Sequence, residues 1–163
     1  MTTNRPLTES NASLGALLRQ PYEQMSTWLY AELARRGHDD VRPAYSAVLR
    51  NLPAQGARVS ELAQRAGMAK QSMGYLVEQM AGADLVEVVP DAQDRRANTV
   101  RLTERGNAVV QMALDLSRQY EAHFGDLLGE RKMAQLRALL QELAAQLDTD
   151  AGRTGPGAGM AKD

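Results

Sequence analysis

The chain has 163 residues, 44% of them hydrophobic, with no cysteine and with 19 Lys+Arg against 20 Asp+Glu, a net charge of -1. That balance predicts one globular domain with a real core, and the missing thiols exclude disulfides, thiolate metal sites and cysteine-based redox sensing. No stretch approaches the ~20 apolar residues a bilayer span needs, and no charged start leads into an apolar run of signal-peptide length, so the expected location is the cytoplasm, with no membrane partner.

Residues 1–13 carry no periodic apolar face and are expected to form a flexible arm, with Ser13 capping the first helix. From Leu14 onward, Leu17, Leu18, Met25, Trp28, Leu29 and Leu33 recur at three- and four-residue spacing, which predicts a long amphipathic helix ending at Gly37. Pro21 removes a hydrogen bond inside it, so a kink or a break into two pieces is expected there. Residues 38–42 form a connector. Pro43 opens a second helix with Tyr45, Val48, Leu49 and Leu52 on its buried face, and residues 53–56 end it.

Arg58 and Val59 are expected to add a short strand, and Ser60 to cap the next helix. Leu62, Ala63 and Ala66 have helical spacing, Gly67 interrupts it, and Met73, Leu76, Val77 and Met80 resume it. This is helix, tight turn, helix, with Ala63 small enough for a close crossing. Two β-branched runs, 85–89 and 99–102, flank a charged stretch, 90–98, and so read as a hairpin. Thr103 caps a long helix through Val109, Val110, Ala113, Leu116, Tyr120, Phe124 and Leu127. A last helix carries Met133, Leu136, Leu139, Leu140, Leu143 and Leu147. Residues 149–163, rich in glycine, are expected to be a disordered tail.

A helix-turn-helix followed by a charged hairpin is a winged helix-turn-helix: one helix fits a major groove and the wing reaches a minor groove or a phosphate. The predicted architecture is mainly α with a small β-wing. A winged-helix lobe spans 43–102, and long terminal helices, 14–37 and 103–148, form a dimerisation bundle within a single domain, 14–148. The terminal helices carry wider apolar stripes than a lobe of this size can cover, so a two-fold homodimer is expected; the alternative is a bundle within one chain.

The segment Asp94-Arg95-Arg96-Ala97, with Val100, Leu102-Thr103 and Gly106, resembles the wing-to-helix signature of the MarR family of winged-helix transcription regulators, Asp-x-Arg followed by Leu-Thr-x-x-Gly. The resemblance extends over roughly residues 14–147. It implies a homodimer, not an enzyme, that acts as a repressor on double-stranded operator DNA and is released by a small aromatic or phenolic effector. In the wing, Arg96 resembles the family's minor-groove arginine, Arg95 is a second candidate, and Asp94 resembles the acidic residue that orients it. The effector would sit where the first helix, the second and the long helix from Thr103 meet, within reach of Tyr22, Met25, Trp28 and Tyr45.

The residue chemistry agrees at the second helix of the pair, where Lys70, Gln71, Ser72, Gly74 and Tyr75 occupy the end that enters a major groove. Gln pairs bidentately with adenine, Lys reaches guanine or phosphate, and the Ser and Tyr hydroxyls bond phosphates. Ala69 stands where the family commonly has a Ser or Thr cap. Between Arg58 and Arg105 the sequence holds seven basic and seven acidic residues, so modest affinity with steep salt dependence is expected. The same neutrality motivates a competing reading, a winged-helix dimer that docks on other proteins. His38 and His123 form no metal motif, and no phosphate-cradling loop or nucleophile elbow is present, so neither a catalytic or metal site nor a cofactor is expected.

Overall fold

The computed structural model describes residues 13–91 and 97–151. The chain divides into two compact units, one reaching Ser117 and the other starting at Arg118.

The first unit opens with α1, Leu14–Arg35, capped by Ser13, whose hydroxyl accepts from the Ala16 amide at 3.2 Å. Pro21 lies inside this helix without breaking it, contrary to the two pieces expected. The proline deprives the Leu17 carbonyl of its donor, but Leu17 is exposed, so water can satisfy that oxygen. The predicted stop at Gly37 holds: the helix ends at Arg35, and Gly37 takes φ +85. A single 3-10 turn, Pro43–Tyr45, then leads into the short α2, Ser46–Leu49, which buries Tyr45 and Val48.

Helix α3, Val59–Ala66, and helix α4, Lys70–Gly82, form the predicted pair. Gly67 takes φ +63 and closes α3: its amide donates to Gln64 at 3.2 Å, and the Met68 amide reaches back to Ala63 at 2.9 Å. Two expectations at the start of α3 fail. Its N-cap is Arg58, not Ser60, and Val59 is helical, so the expected strand shrinks to one bridge between Ala57 and Val100. The bridge ends the extended stretch at Ala57, and the helix takes up directly after Arg58, whose amide donates to Glu61 at 3.1 Å.

Strands β1, Val86–Pro90, and β2, Asn98–Leu102, pair antiparallel with Val88 opposite Val100. The wing is therefore present, with β1 starting and ending one residue later than its β-branched run and β2 starting one residue earlier. Met73, Val77 and Met80 of α4 are buried together with Leu62, Ala63, Leu85, Val86 and Val100, so the lobe's core is the inner face of α4 closed by α3 and the hairpin. Gly56 is required beneath the sheet. Its φ is +87, and a Cβ there would lie 2.6 Å from Thr99 Cγ2 and 2.7 Å from the Val100 oxygen.

Helix α5, Glu104–Leu128, begins at Thr103 as the sequence implied, with the Thr103 hydroxyl accepting from the Gly106 amide at 2.9 Å. Val109 and Leu116 join the first unit's core.

In the second unit, Tyr120 meets Phe124 edge-on at 5.1 Å, and Gly129 turns the chain at φ +80 into α6, Glu130–Ala151. Arg137 on α6 pairs with Glu121. Leu136, Leu139, Leu140, Leu143 and Leu147 form the predicted stripe, yet all five are exposed within the single chain. No helix among the described residues is long and apolar enough to cross a membrane.

Candidate nucleic-acid interface

Burial of Met73, Val77 and Met80 turns the opposite face of α4 outward. Lys70, Gln71, Ser72 and Tyr75 are all exposed there, Tyr75 by 60%, an unusual amount for an aromatic ring. Gly74 is half-buried, and a Cβ built on it would meet Val59 on α3 at 4.0 Å, so it can offer a partner only its backbone. Four of the five predicted helix residues thus share one open surface. Their amide end is unblocked, because Ala69, the N-cap, supplies no side-chain cap. Asp94, Arg95 and Arg96 lie outside the described residues.

The base of the wing is described, and it holds a feature that sequence reasoning missed. Asp91 Oδ2 accepts from Arg58 Nε at 3.2 Å and from the Thr99 hydroxyl at 3.0 Å, while the Asp91 amide donates to the Ala97 carbonyl at 2.9 Å. Thr99 is the one polar residue among the buried ones described, 7% exposed. A β-branched residue in a strand signals only propensity, and nothing in sequence links Arg58 to an acid 33 positions later.

Behind α4, Arg105 ties three segments together. Its guanidinium bonds Asp40 in the connector at 2.8 Å and also donates to the Ala83 carbonyl at the end of α4. Arg105 holds the Asp40 carboxyl below its ordinary value, mainly through that hydrogen bond. A lowered folded-state pKa means the pair stabilises the fold above the ordinary carboxylate value of about 3.9, and the contribution disappears as pH falls through the lower folded value. Asp40 is 41% exposed, so solvent screening keeps the effect under about 1 kcal/mol. Urea unfolding of Asp40→Asn across this acid range should therefore show a slightly lower plateau near neutrality and a shallower acid limb; an unchanged acid limb would remove Asp40 from the account.

The four residues expected at an effector site lie on α1 and on the 3-10 turn before α2. Tyr45 lines a cavity of about 290 Å³ with Asp40, Arg42, Glu78, Gln79, Gly82 and Ala83. Tyr22, Met25 and Trp28 are not among its walls. They follow α1, with Trp28 packed on the core and Tyr22 51% exposed. Tyr30 is an aromatic neighbour that the sequence reading passed over, although it stands two turns beyond Tyr22. Its phenol pKa is raised, first by burial and then by Tyr22, while Arg50 and a hydrogen bond with Ser46 act against the rise.

Comparison with known proteins bears on this geometry. The family model described as MarR family matches residues 39–97, the segment from the connector to the wing. Among curated proteins, the exopolysaccharide II synthesis transcriptional activator ExpG of Rhizobium meliloti is 26% identical over 66% of this chain and 56% of its own length. The transcriptional activatory protein BadR of Rhodopseudomonas palustris is 29% identical over 63% of this chain and 57% of its own. The chain thus spans little more than half the length of the curated relatives it matches. Among solved structures, the transcriptional repressor CouR bound to a 23-mer DNA duplex superposes with a TM-score of 0.62 at 22% identity, over 87% of this chain and 99% of CouR, a likeness of fold. With the helix pair and antiparallel wing in place and the matched segment running from the connector through the helix pair into the wing, the chain is similar to the MarR family over residues 39–97 and shares the winged-helix fold of the solved structure.

Proposed function

We propose that two copies of this chain form a transcription regulator that binds a pseudo-palindromic operator, each lobe placing α4 in a major groove and its wing against the neighbouring minor groove. The observation that carries the reading is the open surface of Lys70, Gln71, Ser72 and Tyr75 at the uncapped start of α4, on the same lobe as the antiparallel hairpin. Gln71 and Lys70 read bases, Ser72 and Tyr75 hold phosphates, and Arg96, oriented by Asp94 and assisted by Arg95, enters the minor groove. Dimerisation is supported by the exposed leucines of α6 and by Leu14, Leu17 and Leu18 on α1, apolar surface that a stable monomer rarely leaves open. A small aromatic or phenolic effector at the junction of α1, the turn and helix from Pro43, and α5, contacting Tyr22, Met25, Trp28 and Tyr45, changes the separation of the two α4 helices. Half-sites lie about one helical turn apart, so a small change in that separation spoils simultaneous docking.

The regulator acts as a repressor where its operator overlaps a promoter. ExpG and BadR are named as activators, which favours a second reading: the same docking upstream of a promoter activates.

The test is fluorescence anisotropy on operator fragments selected from the source genome. Arg96→Ala should weaken binding at least about tenfold, the loss of one specific contact in each half-site. Wild-type affinity would refute the wing assignment. Wild-type binding should also fall steeply with salt, whereas no DNA retention even at low salt would favour a protein-docking module instead.

A further inference from the structure

Arg58 occupies a position that helices reserve for short acceptors. It is the N-cap of α3, with φ -73 and ψ 149, and an arginine has no acceptor to offer the first-turn amides. Glu61 reaches back to the Arg58 amide at 3.1 Å, which is half of a capping box. The guanidinium itself is turned away from the helix toward Asp91.

Asp91 is where the chain leaves β1 and enters 92–96. Its carboxylate takes the Arg58 guanidinium from the start of α3 and the Thr99 hydroxyl from β2, and its amide donates to the Ala97 carbonyl across the hairpin. The Ala57–Val100 bridge, with bonds of 2.9 and 3.1 Å, fixes the same corner from the other side. An uncharged turn would serve the hairpin equally well as far as stability goes, because an ion pair whose arginine side is 38% exposed contributes little. A pair that adds little stability but joins two elements through charge-assisted bonds with directional preference does set their relative orientation.

We propose that Arg58 and Asp91, with Thr99, are positioning residues that fix the angle at which the wing leaves the helix pair, so that α4 and the wing meet the duplex together. This rests on the DNA-binding reading above. It carries a sign that electrostatics alone would reverse. Asp91→Asn removes a negative charge from a DNA-facing lobe, and simple attraction to phosphate predicts tighter binding. The strap predicts weaker binding, by about fivefold, the scale of one lost charge-assisted contact. Arg58→Ala should weaken binding comparably, and the double variant no further than the worse single one.

Anisotropy on operator DNA with the full-length dimer reads this directly, beside thermal melts in which both single variants stay within about 4 °C of wild type. Tighter or unchanged binding by Asp91→Asn, or additive losses in the double variant, would overturn the proposal. Hydrogen exchange provides an arm free of DNA. The Asp91 amide should lose protection in both Arg58→Ala and Asp91→Asn while the α4 core amides keep theirs. If wild type fails to bind any operator, the functional reading falls and this arm still judges the strap: retained Asp91 protection in both variants would overturn it.

Discussion

Gly106→Ala is expected to destabilise the fold by about 3 kcal/mol or more. A Cβ at this position would lie 1.9 Å from the Leu85 carbonyl oxygen, 2.9 Å from its carbon and 3.2 Å from Leu102 Cδ2. The nearest clash is with backbone that cannot easily yield: the Leu85 amide is bonded to Met80 at 2.9 Å, its carbonyl accepts from Thr103 at 3.2 Å, and Leu85 is only 2% exposed. The first turn of α5 therefore crosses the chain entering β1 at a distance only glycine permits. This gives the glycine of the Leu-Thr-x-x-Gly signature a physical meaning: the threonine caps α5 and the glycine lets it lie against the root of the wing. Urea titration would measure the loss, and a midpoint equal to wild type would show that the crossing is looser than these distances imply.

Leu140→Glu should have a comparably large effect by another route. Leu140 is 41% exposed in the single chain, in line with Leu136, Leu143 and Leu147 on α6, a helix with no fully buried side chain among residues 130–149. If a second copy covers this stripe, as proposed, a carboxylate placed at its centre is forced into an apolar interface without a partner, which costs several kcal/mol. The expected outcome is unfolded or aggregated chain and not a folded monomer, since a dimer of this kind has no stable half. Sedimentation of wild type at micromolar concentration as a folded monomer would dismiss the dimer outright. A soluble, fully active Leu140→Glu dimer would move the interface elsewhere.

Much of the lobe was legible because its signals are periodic and local. Met73, Val77 and Met80 announced the buried face of α4, and Gly67 the turn, since burial at helical spacing and a positive φ leave direct marks on residue choice. Ser13 and Thr103 were legible as caps for the same reason. The misreadings share a different cause. Ser60 has the chemistry of a cap, but the extended stretch that pairs Ala57 with Val100, over forty residues away, ends at Ala57, and α3 takes up directly after Arg58. Pro21 has the chemistry of a breaker, but an exposed turn leaves its orphaned carbonyl to water. The Asp91 corner was invisible, because it joins residues from three segments whose proximity only the folded topology creates. The aromatic residues of α1 were legible as a group on one helix: helical spacing says which side chains share a face and nothing about the shape of the space they line.

The uncapped start of α4 bears on more than contact geometry. Helices α1 and α5 each have a first-turn amide met by a hydroxyl, from Ser13 and Thr103, whereas Ala69 offers those of Lys70, Gln71 and Ser72 no side-chain acceptor. A missing cap costs a helix about 1 kcal/mol, so the first turn of α4 frays more readily than the turns behind it, which Met73, Val77 and Met80 hold in the core. An anion docked on those amides returns what the cap would have supplied, with the positive end of the helix dipole adding to it. Occupancy and local order at this end are then one linked equilibrium: whatever anion binds there also anneals the turn that binds it.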